Sequence, residues 1–261
     1  MIPEKTSMVF GWRVYGAGVI ALGMVCLAWG NFDPGQPVPK DFPERTALAY
    51  AVAAFMLLAG AAVEWRRTAV WGAAALTAYY ALVVVILLNG RLLLTHYAEF
   101  GTYSGIAEQL AIAAAGLIVY AASAQLDAAL AARLTRLGRL AFGFCALLFG
   151  GAHFFYLNLT VPLVPKWLPP TPQFWAYATG VGHIAAGIAI LTGVQARLAA
   201  ILLTAMYASF TPLVHVPLLL ADPASRWIWS ENALNLALVG VAWVVADSLA
   251  RPRPPGRGLL R

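Results

Sequence analysis

An all-α polytopic membrane protein, with eight transmembrane helices arranged as two parallel-repeat four-helix bundles, is the architecture this sequence predicts. Three observations lead to it. Of the 261 residues, 61% are hydrophobic and 11% charged, whereas soluble domains run at about 45–50% and about 25%. Mean hydropathy is +0.75, and a soluble body of 27.8 kDa leaves too much surface for so many apolar residues to be hidden. This composition excludes a soluble enzyme, a disordered chain and a disulfide scaffold. Next, eight apolar runs each reach the length of about 20 residues that crosses a bilayer. Last, the chain matches itself at an offset of 127 residues.

The runs cover 11–31, 46–64, 69–89, 104–124, 138–158, 173–193, 196–219 and 229–248. Helices suit these lengths because lipid offers no partner to a free backbone polar group. The first run follows Lys5 and Arg13 as a signal peptide would. It lacks an A-x-A cleavage site and has a counterpart later in the chain, so it reads as a retained span. Arg66 and Arg67 separate the second and third runs, and Arg133, Arg136 and Arg139 surround the start of the fifth. Before the sixth, VPLVPKWLPPTP places five prolines in residues 161–172; it cannot be a helix interior and reads as an interfacial cap. After the eighth, the tail RPRPPGRGLLR reads as a basic segment against anionic lipid.

An even number of spans puts both termini on one side. That side carries 12 of the 17 Lys and Arg residues and the other side 5, so the termini are expected in the cytoplasm. The acidic residues divide 4 and 7, leaving +8 on the inner face and −2 on the outer. The net charge of +6 thus follows lipid topology and does not imply a nucleic-acid partner. Cys26 and Cys145 each stand alone in an apolar run, without a CxxC, and read as small core hydrophobes.

The repeat is gapless over 49–81 against 176–208, with 13 identities in 33 positions, among them Ala59/Ala186, Gly60/Gly187 and Tyr80/Tyr207. Glu108 and Glu231 open the last span of each half. Expected domains are a first repeat at 1–126, a second at 138–248 and the basic tail at 249–261. Four spans per unit give both units the same sense in the membrane, related by an axis along its normal. Ala17 with Ala21, and Gly182 with Ala186, have the small-xxx-small spacing of close helix contacts.

Intramembrane polar groups are costly and face the bundle or a cavity. Three of the four histidines fall in the second repeat: His153 in the outer third of the fifth span, His183 near the middle of the sixth, and His215 near the outer end of the seventh. His96 reads as interfacial, as do Trp29, Trp167, Trp175, Trp227 and Trp229. Tyr207, Thr211 and His215 form an i, i+4, i+8 stripe; Glu231 and Asn235 form another at the start of the eighth span. There the helix N-terminus would favour a charged Glu231, which would hold a neighbouring histidine protonated. Met56 and Leu88 replace His183 and His215 in the first repeat, so one half reads as scaffold and the other as site. His153, His183, Tyr207, Thr211, His215, Glu231 and Asn235 are the candidate ligand-binding residues. A quinone head group suits such a set, needing one or two hydrogen-bonding groups and an apolar slot for its tail. Haem is disfavoured because no second histidine lies in register with His183, and a Zn or Cu site has no supporting spacing.

The second repeat, with its Gly-rich helix ending in His153-Phe154, the Val164-Pro165-x-Trp167-x-Pro169 loop, Thr179-Gly180…Ala186-Gly187 and Leu213-Val214-His215, resembles the DoxX family of small four-helix membrane proteins. The first repeat, with AWGNF and QPVPK, resembles the tandem form of that family. The resemblance implies a bacterial inner membrane location and a quinone-associated membrane subunit of an oxidoreductase assembly, with the redox partner on another polypeptide. Two other readings stay open: a non-catalytic membrane scaffold or accessory subunit, and a carrier for a small or lipidic molecule.

Overall fold

The structure, a computed structural model, describes residues 10–250. Among them, eight helices are long and apolar enough to cross a membrane: α1 Gly11–Trp29, α2 Arg45–Glu64, α3 Ala69–Thr95, α4 Phe100–Ser123, α5 Ala128–Phe155, α6 Pro172–Thr192, α7 Ala196–Ala221 and α8 Arg226–Ser248. The chain is a multi-pass membrane protein. Residues 251–261, most of the expected basic tail, lie outside the described residues.

Several helices outrun their apolar cores. α5 begins at Ala128 instead of 138, because Asp127 caps it by accepting from the Leu130 amide at 2.9 Å. The added turns carry Arg133 and Arg136 and project beyond the apolar run. α8 begins at Arg226 instead of 229, capped by the Ser225 hydroxyl. α3 and α7 each contain a π-helical stretch, Tyr79–Asn89 and Thr211–His215. In α7 the wider turn accommodates Pro212, which has no amide hydrogen to donate and whose ring crowds the preceding turn.

The eight helices form one body. Consecutive helices pack in order, α1 also packs on α8, and α4 lies against α8. Exchanging α1–α4 with α5–α8 maps this set of contacts onto itself, α1 on α8 becoming α5 on α4. Close approaches recur with the same offset. Gly60 faces the Gly16 carbonyl where α2 crosses α1, and 127 residues later Gly187 faces the Gly143 carbonyl where α6 crosses α5. Gly23 against the Ala53 carbonyl is matched by Gly150 against the Gly180 carbonyl. Each is a place where a Cβ would push two backbones apart. The small-residue contact of α6 therefore runs through Gly180 and Gly187; a Cβ on Gly182 would meet only the Met206 sulfur, at 3.7 Å.

Two latches close the end that bears the termini. The Gly11 amide donates to Asp247 at 3.1 Å, and Arg139 donates to the Ser248 hydroxyl at 2.9 Å and to its carbonyl. At the opposite end the Gly101 amide donates to the Tyr156 hydroxyl at 2.8 Å, and Phe100 stacks on Phe155 with centroids 4.2 Å apart. This second latch fixes the start of α4 against the end of α5. It brings Ser104 and Glu108, on the next turns of α4, to the cavity of the second half.

Candidate functional site

Two adjoining cavities open at the end of the bundle away from the termini. The outer one, about 650 Å³, has a mostly apolar wall from α5, α6 and α7, closed above by Leu163, Val164, Pro165 and Leu168 of the proline-rich segment. The inner chamber, about 200 Å³, shares Glu108, Phe149, His153, Phe210 and His215 with it and adds His183, Tyr207, Glu231 and Asn235. Polar side chains from five helices thus converge on a small chamber that leads into an apolar one.

On α5, the His153 ring nitrogen Nδ1 lies 3.2 Å from the Ala176 carbonyl and 3.1 Å from the Thr179 hydroxyl. Thr179 directs its own hydrogen to α6 carbonyls, the nearer being Trp175 at 2.8 Å. The Nδ1 of His153 is therefore the donor. His183, one turn further along α6, has Nδ1 2.8 Å from the Thr179 carbonyl. A carbonyl only accepts, so this Nδ1 also carries hydrogen, and both histidines leave Nε2 unengaged by the described residues. The His153 and His183 rings are 5.1 Å apart, and Tyr207 follows at 5.4 Å from His183. Sequence depth alone set His153 well above His183. The glycine crossing of α5 and α6 brings the two into register.

Tyr207 is 3% exposed, and its hydroxyl has no partner among the described residues. The same holds for Nδ1 of His215. Asn235 spends its amide hydrogens on the α7 backbone and side chains, donating to the Tyr207 carbonyl at 3.1 Å and to the Thr211 hydroxyl at 2.9 Å. Asn232 donates to the His215 carbonyl at 3.2 Å. These bonds from α8 hold the π-helical stretch open. They also break the expected stripe. Tyr207 and His215 line the chamber, whereas Thr211 stands off its wall as the acceptor of Asn235. Glu231 does not stand at a helix terminus either. It is the sixth residue of a helix starting at Arg226, beyond the first turn where the dipole acts.

Glu108 is the residue that sequence reasoning paired with Glu231 but left out of the site. It comes from α4, in the half read as scaffold, and lines both cavities. Its signal was available: a carboxylate within an apolar run is costly enough to mark a cavity. No Lys or Arg among the described residues lines either cavity. Among the described residues, no three His, Cys, Asp or Glu side chains gather as a group able to hold a metal ion.

In the first half the corresponding space is filled by the loop between α1 and α2. Gln36, 2% exposed, accepts from the Tyr79 hydroxyl at 3.0 Å and reaches the sulfur of Met56, the counterpart of His183, at 3.6 Å. Asn89 donates to the Gly35 carbonyl at 3.0 Å. Gly35 packs on Gln109 so closely that a Cβ there would collide with its amide. Burial lifts the carboxyl of Asp33 in this loop to about 6, against the opposing pull of the Gly35 amide, the Ser230 hydroxyl and the Arg226 charge.

The DoxX family model matches residues 134–216. This similarity covers about a third of the chain. It takes in most of α5, all of α6 and α7 as far as Val216. The matched segment supplies His153, His183, Tyr207, Thr211 and His215, while Glu108, Glu231 and Asn235 come from helices outside it. No curated protein and no solved structure matches the chain.

Proposed function

We propose that the paired cavities bind a membrane quinone, head group inward and isoprenoid tail in the apolar cavity, and that the protein serves as a quinone-associated membrane subunit of an oxidoreductase assembly. The reading rests chiefly on the join between the two spaces. A 200 Å³ chamber with an unpartnered Tyr207 hydroxyl opens into a 650 Å³ apolar one, which is the shape and polarity of an amphiphile. Binding sites of this kind are mostly apolar with a few convergent polar groups. The DoxX similarity supports the quinone-linked context, and electron transfer is assigned to a partner subunit. The charge distribution supports a bacterial inner membrane orientation with both termini cytoplasmic, so that the site faces the outer leaflet and quinone enters sideways from lipid. The glycine contacts repeated at 127 residues support two four-helix units related by rotation about the membrane normal.

The test is quinone retention. Purified wild-type protein, extracted with organic solvent, is expected to yield about one quinone per chain. His215→Leu, which breaks no side-chain bond to the described residues, is expected to lose most of it while keeping the elution volume and melting temperature of the wild type; His153→Leu is expected to lose it with an unchanged elution volume and a lower melting temperature, because it also strips the Ala176 carbonyl of a donor. Full retention in folded variants, or a wild type that takes up no quinone from quinone-loaded micelles, would overturn the reading.

A further inference from the structure

A further apolar space continues the outer cavity along the seam between α6 and α7. It holds about 310 Å³, and its walls are Gly, Ala, Leu and Met residues down to Gln195 in the loop that joins the two helices. Met206 lines both spaces and stands at their junction, its sulfur 3.7 Å from where a Cβ on Gly182 would be. On α6 the lining steps from Trp175 and Ala178 in the outer cavity to Gly182, Ala185 and Ala189 in the groove. Steps of three and four residues keep to one helix face, and α7 does the same between Leu213 and Leu198. The two spaces therefore lie in line as one trough. From Trp175 to Ala189 it runs about 21 Å at 1.5 Å per residue, roughly two-thirds of a hydrocarbon core about 30 Å thick.

The first half has the same seam plugged. At the offset of 127 residues, Phe55 stands for Gly182 and Tyr79 for Met206, and those two rings pack with centroids 5.0 Å apart. Gly72 lets α3 close on α2, since a Cβ there would lie 2.6 Å from the Ala59 carbonyl oxygen. Ala199 takes that place in the second half, and its methyl holds α7 off α6. The junction is left to Met206, an unbranched side chain with three rotatable bonds that can turn aside where a packed ring cannot. A tail that starts in the outer cavity meets the cap of Leu163, Val164, Pro165 and Leu168 on one side and the apolar groove on the other. We infer that the isoprenoid tail of the bound quinone descends this trough past Met206, toward the end that bears the termini, so that the site takes quinones with long polyprenyl tails. This rests on the quinone reading above and adds to it the path and length of the tail.

The experiment uses the full chain in phosphatidylcholine vesicles and a polyprenyl benzoquinone with a diazirine at the far end of its tail. After irradiation, label is expected on α6 and α7 around Ala189 and Leu198, and unlabelled polyprenyl benzoquinone is expected to displace it. Gly182→Phe installs the first-half residue at the junction. It is expected to abolish the label in the groove, while an analogue with a single diazirine-bearing prenyl unit still labels the outer cavity as in wild type. Far-end label spread evenly over the lipid-facing helices, or groove label unchanged in the folded variant, would overturn the inference; displaceable labelling by the short analogue would then leave the quinone site standing. Groove label that a diazirine phosphatidylcholine reproduces and the quinone does not displace would assign the groove to a lipid acyl chain and also overturn the inference. No displaceable label from either quinone probe would overturn the quinone reading itself. Should Gly182→Phe not fold, the wild-type pattern still decides the inference.

Discussion

Tyr207 and Asn235 share one chamber, yet their removal should be felt in opposite places. The Tyr207 hydroxyl is buried and makes no bond to the described residues, so Tyr207→Phe deletes nothing that holds the fold. Its melting temperature should stay within about 2 °C of wild type, as expected of a change near zero in free energy. What it deletes is one donor to a bound head group, about 0.5–1.5 kcal/mol, or roughly two- to tenfold in affinity. Asn235→Leu should do the reverse. It strips the Tyr207 carbonyl and the Thr211 hydroxyl of a donor, at 3.1 and 2.9 Å, and should cost about 1–3 kcal/mol of stability. Thermal unfolding of both variants, with and without a saturating short-chain quinone, separates the two effects. A Tyr207→Phe protein that melts well below wild type while binding ligand as tightly would refute the assignment of its hydroxyl to the ligand.

Three further outcomes follow from the packing and the loop. Gly150→Ala drives a Cβ to 2.7 Å from the Gly180 carbonyl, so it should cost about 1–3 kcal/mol by overpacking and spread His153 from His183, lowering ligand affinity. Gly105→Ala in α4 meets nothing within 4 Å and should raise stability by about 0.5–1 kcal/mol; a loss there would contradict the packing. Burial lifts Asp33 from 3.8 to about 6, so the folded chain holds that proton more tightly than the unfolded one. Its stabilising contribution is full below about pH 4 and is lost as pH rises through about 6. Asp33→Asn should therefore gain on wild type with rising pH, by up to about 3 kcal/mol at pH 8, in thermal unfolding at pH 4 and pH 8; a pH-independent difference would refute the burial.

The eight spans were legible because lipid demands long apolar helices and leaves few alternatives. Their ends were less so, since Asp127 and Ser225 extend α5 and α8 by caps that lie outside the apolar runs. The site was readable as a set of costly polar residues, but its geometry was not. Depth along one helix cannot reveal that a glycine crossing levels His153 with His183, and an assumed α-helical period cannot anticipate the π-helical turn that takes Thr211 off the wall. Nor does the repeat alone explain the asymmetry of the halves. Met56 in place of His183 was visible in the sequence. That Gln36 and its loop fill the space beside Met56 depends on a tertiary contact between the loop and α2.

The central claim, that the inner chamber holds a quinone head group, is tested most directly by photolabelling. A quinone carrying an azide on its ring would be irradiated with the protein in lipid vesicles and the labelled peptides sequenced. The account predicts label on chamber residues of α7 and α8, around Tyr207, His215 and Glu231, with competition by unlabelled quinone. Label spread over the lipid-facing surfaces of α2 and α3, unaffected by competitor, would contradict it.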